Sequence, residues 1–318
     1  HLSLRRQRQM CIRDSLGIVP LFHSTGIVAS MLAPIELGSQ VVMIGRFSPV
    51  ATIKAIREHK ISIMAGVPSM YGALLKLKDA SAADFEPMFA ALSGGEPLPS
   101  TIREAFVARF KKPLYEGYGL TETIGISCLN TPAKHKPGSV GRPIPICEIQ
   151  IVDDNDQTLG KNETGEVLIK GPHVMQGYHN LPDETQRALT SDGAFRTGDL
   201  GHVDDDGFVF ITGRKKDMII VSGEKVYPRE IEEALSQHPG IGDIAVLGRK
   251  DESRGEAVVA FVVAREGQTV TQESVRDFLR AQNCVNWKIP KEVHVVKELP
   301  RSPTGKVLKR DLAAQLAS

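Results

Sequence analysis

Three patterns of apolar and polar residues follow one another along the chain. From residue 16 to about 118, short apolar runs alternate with amphipathic stretches. LGIVPL (16–21) leads into the loop FHSTG (22–26), and VVMI (41–44) is apolar throughout, as expected of a strand buried on both faces. Residues 49–59 put Val50, Ile53 and Ile56 on one helical face, with Pro49 in the first turn. ISIMAG (61–66) predicts the next strand, and 68–78 a helix carrying Met70, Leu74, Leu75 and Leu77. ALSGGEPLP (91–99) reads as strand and glycine turn before a helix at 100–110, and LYEGYGLTE (114–122) repeats the passage from strand to loop. This alternation predicts a parallel sheet with helices on its faces.

From about 138 to 213 the period shortens. EIQIV (148–152), GEVLIKG (165–171) and GFVFITG (207–213) are strand-like and separated by turn residues, with one helix expected at 182–190. A small β-barrel or sandwich beside the α/β part fits these short strands. From 214 onward a compact α+β pattern takes over. It has helices at 228–238 and 271–281, strands at 241–248, 256–264 and 292–296, and a loop at 298–312 leading to a terminal helix. The expected organisation is therefore an α/β portion with a small β-barrel, followed by a small α+β C-terminal domain. The borders fall at 16–137, 138–213 and 214–318. Residues 1–15 are Arg-rich, lack an initiating Met and show no apolar period, so they read as a non-native tail.

Composition narrows the class. Lys+Arg 39 against Asp+Glu 38 leaves the chain nearly neutral, which argues against a basic footprint for nucleic acid. No apolar run approaches a membrane span, so the expectation is a cytoplasmic protein with at most peripheral membrane contact. Cys11, Cys128, Cys147 and Cys284 lack zinc-type spacing and read as idle thiols, and the nine histidines lack HExxH spacing.

The chemistry-bearing residues sit in loops at the carboxyl ends of the expected parallel strands, where open α/β sheets bind ligands. FHSTG, SGGEP (93–97) and GYGLTE (117–122) are three such loops. Gly94, Gly95, Gly117 and Gly119 let backbone approach a ring or phosphate closely, though each glycine pair alone is commonly just a turn. Thr121 and Glu122 offer a hydroxyl for phosphate and a carboxylate for Mg²⁺. Asp199, expected in a turn after Thr197-Gly198, either caps its own backbone or accepts ribose hydroxyls. DDDG (204–207) lacks the acids of a calcium loop at His202 and Gly213 and reads as a hairpin turn. Gly305-Lys306 ends no Walker loop, because Pro300 stands where the first glycine belongs. The stiff PRSPTGK (300–306) still presents one cation at its tip.

Taken in order, PLFHSTG, SGGEPLP, GYGLTE, TGDLG, GRKKDMIIVSGEKVYPREIE and PRSPTGK resemble the AMP-forming acyl-CoA synthetase family, from about Leu16 to the C-terminus. Within it the chain is most similar to long- and medium-chain fatty-acid CoA ligases. The resemblance implies two half-reactions. A carboxylate and Mg·ATP give acyl-AMP and pyrophosphate, and coenzyme A then displaces AMP. It implies Lys306, Glu122 and Thr121 as catalytic residues, with Lys306 neutralising charge at the α-phosphate, Thr121 binding it and Glu122 holding Mg²⁺. It further implies Asp199 and Arg214 on the ribose, and Gly94, Gly95, Glu96, Glu116, Gly117 and Tyr118 around the adenine. His23 belongs beside the acyl pocket, Lys216 is the hinge of a rotating C-terminal domain, and Gly223, Glu224 and Lys225 face coenzyme A. A satisfied core histidine is the plainer account of His23. The family's phosphate loop, due ahead of PLFHSTG, is absent from the sequence, so the chain is expected to be a fragment that binds AMP or acyl-adenylate but fails in ATP-dependent activation. Two other classes fit less well: an adenylation domain that loads a carrier protein, and a non-catalytic nucleotide-binding relative.

Overall fold

The computed structural model describes residues 14–302 and 306–317. Residues 1–13, which carry most of the expected tail and Cys11, lie outside the described residues, as do residues 303–305 of PRSPTGK. The chain divides into two compact units, one of residues 1–197 with 201–211 and the other of 198–200 with 212–318.

Five parallel strands open the first unit: β1 (Ser15–Gly17), β2 (Val41–Met43), β3 (Ile63–Gly66), β4 (Ala90–Ser93) and β5 (Leu114–Tyr118). Two short antiparallel strands, β6 (Cys128–Leu129) and β7 (Arg142–Pro143), extend the sheet in the order β2-β1-β3-β4-β5-β6-β7. Ser15 already belongs to β1 and donates its amide to Gln40 at 2.9 Å. β2 is an edge strand and not the doubly buried one expected; Val41 and Val42 are half-buried and Met43 is exposed. The helix at Pro49–His59 forms as expected, with Ser48 capping its N-terminus, but it buries Ile53 and Ile56 and leaves Val50 exposed. Val50 is the second residue of that helix, outside the stripe that Ile53 and Ile56 share one turn further on.

Helices Pro68–Leu75 and Ser100–Phe110 complete a core in which Tyr71, Phe85, Phe106 and Phe110 meet edge-on or tilted at 4.2–5.4 Å between ring centres. Burial holds the Tyr71 hydroxyl protonated far above its ordinary range, and it donates to the carbonyl of Leu92 at 2.6 Å. Arg109 donates to the carbonyls of Leu75, Leu77 and Ala80, closing the C-terminal end of the neighbouring helix.

The β-rich part forms a four-stranded sheet in the order β11-β10-β9-β8, from β8 (Glu148–Val152), β9 (Gly165–Lys170), β10 (Phe195–Val203) and β11 (Val209–Arg214). The DDDG hairpin turn joins β10 to β11: Gly207 takes φ +80° and donates its amide to Asp204 at 3.0 Å.

The second unit is built on a sheet of five strands. These are β12 (Ile219–Val221), β13 (Glu224–Val226), β14 (Ile241–Asp251), β15 (Gly255–Ala264) and β16 (Glu292–Val295). Period-two patterning makes both faces apolar. Val246, Val258, Ala260 and Val262 pack with Ile231, Leu235, Val275 and Leu279 of helices Pro228–Ser236 and Gln272–Ala281. The alternate residues Ala245, Leu247, Val259 and Phe261 pack with Leu299 and Leu312, the latter on helix Lys309–Ala317. That terminal helix begins at Lys309, taking in the last four residues of the expected loop 298–312.

Candidate functional site

In the first unit, the loops expected at the carboxyl ends of parallel strands lie side by side. A Cβ placed on Gly94 would stand 3.2 Å from the carbonyl oxygen of Gly117, so SGGEP and GYGLTE pass each other at backbone contact. A Cβ on Gly125 would stand 3.3 Å from the amide of Thr25, which brings the FHSTG segment against the turn after Glu122. FHSTG is only partly loop: a helix begins at Ser24, and His23 caps it by accepting the Thr25 amide on Nδ1 at 3.2 Å. His23 is half-buried, with a definite structural task as N-cap.

The glycines have distinct reasons to be glycine. Gly95 takes φ +81°, the left-handed region. Gly119 is barred from any side chain by three backbone atoms of Gly125 and Ile126, each 2.7 Å from the position of its Cβ. Packing of the loop against itself therefore accounts for Gly119 without a ligand.

Glu116 is buried on β5 and accepts the Leu98 amide at 3.2 Å through Oε1, tying that strand to the residues after SGGEP. Asn130 reinforces the same strand, donating from Nδ2 to the carbonyls of Glu116 and Ser139 at 3.1 and 2.7 Å. Glu96 and Tyr118 are half-buried. A cleft of about 220 Å³ opens between the helix Ser100–Phe110 and loop 135–139; of the expected site residues it touches Glu116 alone.

Thr121, Glu122 and Thr123 form a single 3-10 turn in which Thr121 is exposed, Glu122 half-buried and Thr123 buried. Leu120 donates its amide to Thr123 Oγ1 at 3.0 Å, and Gly125 returns its amide to the Leu120 carbonyl at 2.8 Å. The Glu122 carboxylate accepts a hydrogen bond from the Tyr178 hydroxyl at 2.9 Å. Burial, and after it the Glu122 carboxylate, push that hydroxyl up to about 12. A half-exposed carboxylate with hard oxygen donors suits Mg²⁺, which takes one or two carboxylates and completes its shell with phosphate oxygens and water. Among the described residues no cluster of three or more His, Cys, Asp or Glu could hold a metal alone.

In the second unit Asp199 corrects the sequence reading: it lies within β10 and not in a turn. It is buried at 4% exposure, and its Oδ1 pairs with Arg214 Nε at 3.2 Å, which compensates a charge that burial would otherwise penalise. Gly198, at φ +66°, bends the strand beside it. Lys216 is exposed on the 3-10 turn Lys215–Asp217 that separates β11 from β12. β12 and β13 pair Val221 with Glu224 across a two-residue turn, Ser222 (φ +52°) and Gly223 (φ +88°), leaving Glu224 and Lys225 exposed. Two positive φ angles match the right-handed twist of a tight hairpin. Lys306 is exposed, with its amide on Ser302 Oγ at 3.2 Å and Arg301 bridged to Val307.

The residues that sequence reasoning missed are Tyr178, His173, Ser127 and Asn130. The sole signal for Tyr178 was its place in MQGY, just ahead of the Pro182 helix start.

Comparison with known proteins places the chain in a class. Residues 4–179 match the AMP-binding enzyme family and residues 230–306 the AMP-binding enzyme C-terminal domain, so the chain belongs to the AMP-binding enzyme family. It is 40% identical over 299 residues to a long-chain-fatty-acid–CoA ligase of Bacillus subtilis, covering 93% of this chain and 53% of that protein. It is 39% identical over 305 residues to an indoleacetate–CoA ligase of Aromatoleum aromaticum, covering 95% and 59%. An ATP-bound crystal structure of MatB from Rhodopseudomonas palustris superposes with a TM-score of 0.91 at 31% identity, covering 98% of this chain and 62% of that one. The chain thus spans about half the length of the curated relatives it matches.

Proposed function

We propose that the chain carries the adenylate-handling part of an AMP-forming acyl-CoA ligase whose acid is a fatty acid. The observation that carries the reading is the convergence of SGGEP, GYGLTE and FHSTG at the carboxyl ends of parallel strands, with Glu122 held at their rim by Tyr178. In this reading Gly94, Gly95, Glu96, Glu116, Gly117 and Tyr118 border the adenine, and Thr121 meets the α-phosphate. Asp199 and Arg214 hold the ribose: a buried carboxylate already oriented by a guanidinium is a good acceptor for two hydroxyls. Lys306 brings positive charge to the phosphate and attacking carboxylate, an electrostatic role. Glu122 would hold Mg²⁺, which when bound neutralises phosphate charge during adenylation. Lys216 is the hinge about which the C-terminal domain, from residue 214, turns between half-reactions. The Gly223–Lys225 turn then meets coenzyme A, and His23 stays near the acyl chain as a capping residue.

The fatty acid rests on the name of the Bacillus relative; the indoleacetate ligase favours a second reading, in which the acid is aromatic. Supplying preformed acyl-AMP and coenzyme A bypasses ATP activation and tests both. A faster release of AMP with dodecanoyl- than with indoleacetyl-adenylate supports the fatty acid. The reverse order supports the aromatic acid, and no acceleration over the protein-free rate overturns the ligase reading.

A further inference from the structure

The segment after β9 is stapled onto the turn that bears Glu122. Met175 donates its amide to the Glu122 carbonyl at 2.8 Å, so the backbone of the turn is held from outside. The Tyr178 hydroxyl donates to Glu122 Oε1 at 2.9 Å, so its carboxylate is held as well. His173 and Ser127 lie 3.3 Å apart through Nε2 and Oγ, and Ser127 Oγ meets Thr123 Oγ1 at 3.0 Å, fixing the next residue of the turn in a buried network. Tyr178 is itself anchored: its amide donates to Thr185 Oγ1 at 2.9 Å, and that hydroxyl donates to the Leu181 carbonyl at 2.9 Å. A Cβ on Gly177 would stand 2.7 Å from Thr185 Cγ2, so the chain reaches the helix Pro182–Ala188 at a distance only glycine permits.

We propose that Tyr178 is a positioning residue for the Glu122 carboxylate, and that segment 171–178 sets the orientation in which Glu122 takes the nucleotide-bound divalent cation. The physical ground is that a half-exposed glutamate samples several rotamers, each of which must be given up on binding a cation. A phenol fixed at both ends removes that freedom beforehand while occupying one carboxylate oxygen by a charge-assisted hydrogen bond. Metal ligands held by outer hydrogen bonds bind their ion more tightly. This proposal rests on the reading of Glu122 as a cation ligand.

The test is equilibrium dialysis of ATP against the 318-residue chain at increasing Mn²⁺, reading the Mn²⁺ needed for half-maximal retention of ATP by the chain. AMP binding without cation is measured in parallel. Tyr178→Phe keeps the ring and deletes the hydroxyl. We expect roughly tenfold more Mn²⁺ at half-maximal retention, the size of one hydrogen bond to a charged group, with cation-free AMP affinity unchanged. Thr185→Val, which loosens the anchor and leaves the hydroxyl in place, is expected to shift the same midpoint by a smaller factor. An unchanged Mn²⁺ midpoint in Tyr178→Phe, with Glu122→Gln abolishing Mn²⁺-dependent retention, overturns the positioning role and leaves the reading of Glu122 standing. If Glu122→Gln leaves the midpoint unchanged, the reading of Glu122 fails and the proposal with it. Equal losses of Mn²⁺-dependent ATP retention and AMP binding in Tyr178→Phe would mark a merely structural tyrosine and also overturn the proposal.

Discussion

Replacing Gly119 by alanine probes the site at the point where its architecture has least slack. The new Cβ would stand 2.7 Å from the carbonyl carbon and oxygen of Gly125 and from the amide nitrogen of Ile126. Ordinary van der Waals contact for a Cβ begins near 3.4 Å, so the backbone must separate by about 0.7 Å. No flexible side chain can absorb that movement, because all three obstacles are backbone. Gly125 is also constrained from the far side, where its own Cβ position lies 3.3 Å from the Thr25 amide. Relief must therefore come by opening the turn 120–125, at the expense of the 2.8 Å bond from the Gly125 amide to the Leu120 carbonyl. Overpacking of this kind costs about 1–3 kcal/mol. Urea unfolding reads the loss directly, with Gly45→Ala as control, since nothing lies within 4 Å of that Cβ. The control is expected to be neutral or stabilising by up to about 1 kcal/mol. A Gly119→Ala chain as stable as the wild type would refute the reasoning, because backbone contacts at that distance cannot be accommodated without loss.

Two further predictions follow from strain and charge. Ile124 is a β-branched residue at φ +56°, immediately after the Glu122 turn and exposed to solvent, so Ile124→Gly should raise stability by about 0.5–1 kcal/mol by relieving left-handed strain; a lower urea midpoint would contradict this. Burial holds His173 and His238 below the ordinary histidine range, Arg265 adding to the effect on His238, while the unfolded chain takes up protons near about 6.5. The unfolded state therefore binds more protons on acidification. The stability that these residues contribute is fully present above about pH 6.5 and is lost as pH falls through that value toward their lower folded range. His238→Gln should flatten the dependence of the unfolding midpoint between pH 7.5 and 5.5, and a variant as acid-sensitive as the wild type would disprove the assignment.

Much of the fold was legible because period and loop chemistry agree. The apolar runs at 241–248 and 256–264 predicted strands, and both form, as β14 and β15, with both faces of the pair packed. The pattern failed where position in the sheet decides burial. VVMI looked like a central strand, but an apolar run carries no mark of lying at an edge, as β2 does. Val50 failed for a similar reason: the first turn of a helix projects beyond the stripe that the rest buries. Asp199 looked like a turn residue because it follows Thr-Gly, whereas Gly198 only bends a continuing strand. Tyr178 escaped notice because its link to Glu122 spans 56 residues and depends on how the segment after β9 returns to the end of β5. Sequence spacing cannot display a contact of that kind.

The account stands or falls on adenylate recognition. Its most direct measurement is calorimetric titration of the chain with a non-hydrolysable fatty acyl-adenylate analogue, set beside the isosteric variant Asp199→Asn. The account predicts saturable binding of one ligand per chain, weakened at least about tenfold in the variant, since a hydrogen bond to a charged group contributes about 1.5–3 kcal/mol. Equal affinity in both proteins, or no binding by the wild type, would contradict it.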